Sequence, residues 1–71
     1  NMKYEITDKA SYTTVHFTIE SEDGSREYRV SMAEDDFYDD WRVMDEGGNE
    51  IEPETELYKE LVTLCEAELK R

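Results

Sequence analysis

Val15-His16-Phe17-Thr18-Ile19-Glu20-Ser21-Glu22-Asp23-Gly24-Ser25-Arg26-Glu27-Tyr28-Arg29-Val30-Ser31-Met32 is the stretch that decides the fold. Val15, Phe17 and Ile19 alternate with Thr14, His16 and Thr18 in a run over residues 12–20, and Tyr28, Val30 and Met32 alternate with Glu27, Arg29 and Ser31 in a run over 25–32. A period of two marks strands with one buried face. The Asp23-Gly24 pair between them is a hairpin signal, and a two-residue loop there makes the numbers of paired residues sum to 47. Ile19 then meets Tyr28, Phe17 meets Val30 and Val15 meets Met32. Turn chemistry and hydrophobic pattern thus select the same register independently. The same register sets Glu20 opposite Glu27, a like-charge pair that Arg26 and Arg29 are placed to offset.

Working outward, Met2, Tyr4 and Ile6 alternate with Lys3, Glu5 and Thr7 as a first strand, and Asp8-Lys9-Ala10-Ser11 reads as a turn. Ser31-Met32-Ala33-Glu34 matches a capping box, so the segment through Tyr38 is either a short helix or a loop. Residues 41–45 read as a strand that Gly47-Gly48 turns back, with Met44 facing Ile51. Pro53 suits the first position of a helix that runs to about Lys70, with Glu54 and Glu56 at the positive end of its dipole. Its apolar stripe is Leu57, Tyr58, Leu61, Val62, Leu64, Cys65 and Leu69, and Glu66 with Lys70 forms an i,i+4 pair on the solvent side. The predicted fold class is α+β: an antiparallel β-meander of three to five strands with one C-terminal helix packed on one face, a two-layer sandwich.

A chain of 71 residues supports one core, so residues 1–71 are read as a single domain, with Met2 as the native start and Asn1 as an expression-tag remnant. No charged n-region and apolar h-region follow Met2, and the longest uninterrupted apolar run is two residues. Cys65, the single cysteine, has no internal disulfide partner, which fits a cytoplasmic location. The formal net charge is −12, and counting shows where it lies. Residues 1–30 hold six acids and four bases, residues 57–71 three of each, and residues 31–56 eleven acids against Arg42 alone.

Within that acidic segment lies Glu34-Asp35-Asp36-Phe37-Tyr38-Asp39-Asp40-Trp41, where aromatics, the residues that anchor interfaces, stand among carboxylates. These eight are the candidate partner-binding residues. Two readings compete. In one, residues 34–56 present an acidic, aromatic-containing surface to a basic protein surface, with nucleic-acid mimicry as one form of it; direct nucleic-acid binding is disfavoured by charge. In size and acidity the chain resembles small phage-encoded inhibitors of restriction, repair and CRISPR nucleases. In the other, the acids serve solubility and the chain is an accessory or assembly domain that uses its sheet edge or helix, as a monomer or a homodimer. Exposed aromatics favour the first reading; aromatics that lid the core, as Trp41 and one of Phe37 or Tyr38 are expected to do, favour the second.

Catalysis is not expected. His16, the single histidine, falls on the polar face of its strand, Cys65 falls on the buried helix stripe, and no Ser-His-Asp set or phosphate-binding glycine loop is present. No cofactor is implied. Asp35, Asp36, Asp39 and Asp40 could bind a divalent cation weakly. Residues 45–56 have the length of an EF-hand loop but carry Glu50 at the sixth position, where the turn needs glycine.

Overall fold

The computed structural model describes residues 3–34 and 37–71. Strands β1 (Tyr4–Ser11), β2 (Val15–Ser21), β3 (Glu27–Glu34) and β4 (Asp39–Asp45) form one antiparallel sheet in the order β1-β2-β3-β4, and helix α1 (Glu56–Leu69) packs on one face. The central pairing is the one the sequence predicts, with Val15 opposite Met32, Phe17 opposite Val30, Ile19 opposite Tyr28 and Glu20 opposite Glu27. Arg29 reaches Glu27 at 3.6 Å and offsets part of that like-charge contact.

The turn differs from the expected two-residue loop. The Ser21 amide donates to the Arg26 carbonyl (2.9 Å), the Gly24 amide donates to the Ser21 carbonyl (2.9 Å), and Gly24 takes φ +75°. Residues 22–25 therefore form a longer loop centred on the same point. Lengthening a hairpin loop by one residue on each side leaves the sum at 47, so the register is unaffected by the change of turn. Buried Ser21 closes the loop, its hydroxyl donating to Asp23 Oδ1 (2.8 Å) and accepting from the Arg26 amide (3.0 Å).

Asp8-Lys9-Ala10-Ser11 is strand, not turn. Ile6 faces Ile19 but Asp8 faces Thr18, so Thr7 is an extra residue and the ladder is bulged there. Beyond the bulge the parity inverts: Lys9 lies opposite Phe17 and Ala10 opposite His16. The inward positions are then no longer apolar, which is why the pattern resembles a turn. The chain reverses at residues 12–14 instead, where the Tyr12 amide donates to the Thr14 carbonyl (3.1 Å).

Ser31-Met32-Ala33-Glu34 is likewise strand. Met32 is buried and faces Trp41, and Ser31 faces Arg42, so ladder pairing outweighs a local capping pattern. Met44 pairs with Glu50 in an isolated bridge instead of meeting Ile51; Ile51 packs against the core on the helix side while its amide donates to the Val43 carbonyl (2.8 Å). No fifth strand forms among the described residues. The helix starts later than Pro53 suggests, because Thr55 is the N-cap: its hydroxyl accepts from the Tyr58 amide (3.2 Å) and donates to the Glu52 carbonyl (2.8 Å). Pro53 occupies the preceding turn. The helix ion pairs found are Lys59 with Glu56 and Arg71 with Glu68, not the expected Glu66 with Lys70.

Phe17, Ile19, Tyr28, Val30 and Val43 from the sheet enclose Leu61 and Cys65 from α1. Burying each large side chain contributes about 1.5–3 kcal/mol. Tyr4 and Tyr28 meet edge to face at 5.9 Å, extending this core to β1. The opposite face of the sheet, carrying His16, Thr18, Arg29, Ser31 and Met44, lines a shallow open hollow. An antiparallel sheet is commonly solvated on one side.

Candidate functional site

The eleven acids of residues 31–56 do not form one face. β4 is seven residues long, so the connection before it and the turn after it are about 20 Å apart. At the far turn, carboxylates have structural partners. Asp45 Oδ1 accepts from the Asn49 amide (3.0 Å) and the Gly47 amide (2.9 Å), and these bonds, that from Asn49 foremost, hold its carboxyl below the usual range. Glu46 Oε1 accepts from the Glu27 amide (2.9 Å). Glu50 lies 3.6 Å from Arg42, the single base of the segment. These groups are tied to the fold, and the Asp45–Asn49 bonding is that of a tight turn instead of a calcium loop.

The near connection, between β3 and β4, is different. Glu34 ends β3 and Asp39 begins β4 directly opposite it, both exposed. The Val43 carbonyl is turned away from β3 to meet Ile51, and in an extended strand Trp41 and Asp39 turn the same way. Glu34 and Asp39 are therefore a non-hydrogen-bonded pair, in which the Cα atoms approach to about 4.5 Å and side chains come closest. Like charges so placed are destabilising. Asp40 falls on the other face of the sheet, exposed and 4.0 Å from Arg42.

Phe37 and Tyr38, between these carboxylates, are 92% and 64% exposed. Neither covers the core edge. Trp41 does: it is half-buried and packs on the core, and its carbonyl accepts from the Tyr58 hydroxyl (3.2 Å), whose pKa is raised by burial and by the charge of Asp40. Of the eight sequence candidates, then, Glu34, Phe37, Tyr38, Asp39 and Asp40 share the hairpin tip and Trp41 belongs to the packed layer. Asp35 and Asp36 lie outside the described residues.

One exposed aromatic escaped the sequence reading. Tyr12 is 80% exposed, with its ring 6.4 Å from that of His16. The signal was its parity, since positions 12, 14, 16 and 18 share the polar face of the run.

Cys65 is fully buried, and burial pushes its thiol pKa up to about 12, so it stays protonated and behaves as a small apolar residue. Among the described residues, no group of three or more His, Cys, Asp or Glu converges as metal ligands, and no helix is long and apolar enough to cross a membrane. The chain was compared with protein-family models, curated proteins and solved structures. None of them matches it.

Proposed function

We propose that the chain is a non-catalytic interaction domain whose β3–β4 hairpin tip docks on a basic protein surface. The observation that carries this reading is the exposure of Phe37 and Tyr38, 92% and 64%, between the exposed carboxylates of Glu34, Asp39 and Asp40. Rings in water beside exposed acids gain nothing for the fold, whereas in a contact they supply rigid apolar area within an electrostatically steering rim. The Glu34–Asp39 opposition supports the reading further, because it weakens the hairpin and is relieved when a cation sits between the two groups. A protein groove that binds nucleic acid is one surface of the right charge, and occupation of such a groove would make the chain an inhibitor by mimicry.

The test combines salt with substitution. Wild-type chain immobilised in a host lysate should retain a basic partner at low ionic strength and release it at high ionic strength. The Asp35→Asn, Asp36→Asn, Asp39→Asn, Asp40→Asn variant should lose the partner while keeping a native amide spectrum. Undiminished retention by that folded variant refutes the assignment, and would shift attention to the outer edge of β1, which no other strand covers.

A further inference from the structure

All three exposed aromatic residues among those described, Tyr12, Phe37 and Tyr38, belong to connections at one end of the sheet. In a meander of order β1-β2-β3-β4, the β1–β2 and β3–β4 connections lie at the same end, and the β2–β3 connection and the turn after β4 lie at the other. Residues 22–26 and 46–48, at that other end, include no aromatic. The midlines of the two hairpins are two strand spacings apart, about 10 Å. Tyr12 is 80% exposed and inclined toward the His16 ring, so it stands on the open side of the sheet beside the tip that carries Phe37 and Tyr38. Residues 11–14 and 37–40 contain no Lys or Arg; Arg42 on β4 lies 3.6 Å from Glu50 and 4.0 Å from Asp40, and Lys9 on β1 is exposed three residues before Tyr12. The combined surface is thus three rings bordered by the carboxylates of Glu34, Asp39 and Asp40 at the β3–β4 tip and by neutral side chains around Tyr12.

The chemistry of that combination is selective between cations. A guanidinium is planar and weakly hydrated, so it can stack its face on a ring while its edge forms two parallel hydrogen bonds to a carboxylate. A lysine ammonium forms the ionic contact but keeps its hydration shell and offers no flat face. We propose that the two hairpin tips act as one surface that docks an arginine-bearing segment of a partner protein, with guanidinium groups stacked on Tyr12, Phe37 and Tyr38 and paired with Asp40 on the open face and with Glu34 and Asp39 on the other side of the β3–β4 tip. The proposal rests on the reading of the β3–β4 tip as a docking surface. It adds the β1–β2 hairpin to that surface and names the cation the partner presents.

The experiment is a titration of the full ¹⁵N-labelled chain with hexa-arginine and, separately, hexa-lysine peptides at low ionic strength, followed by amide chemical shifts. Both peptides should bind, hexa-arginine about fivefold more tightly, the ratio expected when stacking at exposed rings adds to a shared ionic contact. Shifts should appear at residues 12–14 as well as 37–40. Tyr12→Ser and Phe37→Ser alter exposed side chains, so the remaining spectrum should stay native; each should reduce hexa-arginine affinity about threefold and leave hexa-lysine affinity unchanged. Equal affinity for the two peptides, or full hexa-arginine affinity in Tyr12→Ser, overturns the arginine-selective composite surface and leaves the acidic docking reading standing. Failure of both peptides to bind, or shifts confined to Glu5, Glu20 and Glu27 on the open face, overturns both.

Discussion

Asp23 shows how one side chain can organise a loop without being buried. Its Oδ1 accepts from the Ser25 hydroxyl (2.7 Å), the Ser25 amide (2.9 Å) and the Ser21 hydroxyl (2.8 Å), and these bonds, those from Ser25 foremost, lower its pKa from 3.8 to about 2. A carboxyl whose folded pKa is depressed contributes stability that is complete above its unfolded pKa and is lost as pH falls through the folded value. The melting-temperature gap between wild type and Asp23→Asn should therefore be widest near neutrality and close as pH falls from about 4 to about 2, where the protonated acid resembles the amide. A gap that stays constant over that range contradicts the assignment. Cys65 makes the complementary point: with its thiol pushed up to about 12 in the core, it is a packing residue, and iodoacetamide should label it only after denaturation.

At the scale of elements, one local signal gave way to tertiary pairing and another to a stronger local cap. The capping-box match at Ser31–Glu34 could not become a helix because Met32 is already committed between Val15 and Trp41 in the sheet. Pro53 is compatible with a helix start, yet the start falls at Thr55, whose side chain satisfies an orphan amide and whose own turn to Glu52 sets the direction of entry. Thr55→Ala should cost about 1 kcal/mol in urea unfolding. A loss indistinguishable from zero would show that packing of Leu61 and Cys65, not the cap, sets the start of α1. The bulge at Thr7 has a second role beyond register, since an irregular edge strand resists pairing with another sheet.

The whole molecule carries a formal charge of −12 in 71 residues, and like-charged partners recur across the strands: Glu5 with Glu20, Glu20 with Glu27, Glu34 with Asp39. The ion pairs present are exposed and individually worth little. Self-repulsion over distances of about 10 Å is screened at about 0.1 M salt, so added sodium chloride should raise the melting temperature. A melting temperature that falls with salt would mean that the surface pairs outweigh the repulsion. The same salt that steadies the chain should weaken its hold on a basic partner, so stability and binding are expected to move in opposite directions along one titration.

The sequence by itself determined the class of fold, the register of the central hairpin and the inward set Val15, Phe17, Ile19, Tyr28, Val30 and Met32, because these follow from a local period and from a loop centre that is insensitive to loop length. It also located the acids, the buried cysteine and the helix stripe except for Leu69, which is exposed at the end of α1, because these depend mainly on order along the chain. What it could not determine was where non-neighbouring segments come to lie. The bulge that converts Asp8–Ser11 into strand is a two-strand property, and the separation of the acidic segment into a structural turn and a free tip depends on the length of β4. The gathering of Tyr12 with Phe37 and Tyr38 at one end depends on strand order. Patterning reports which face a residue takes, but only the assembled sheet decides which residues share an end of it.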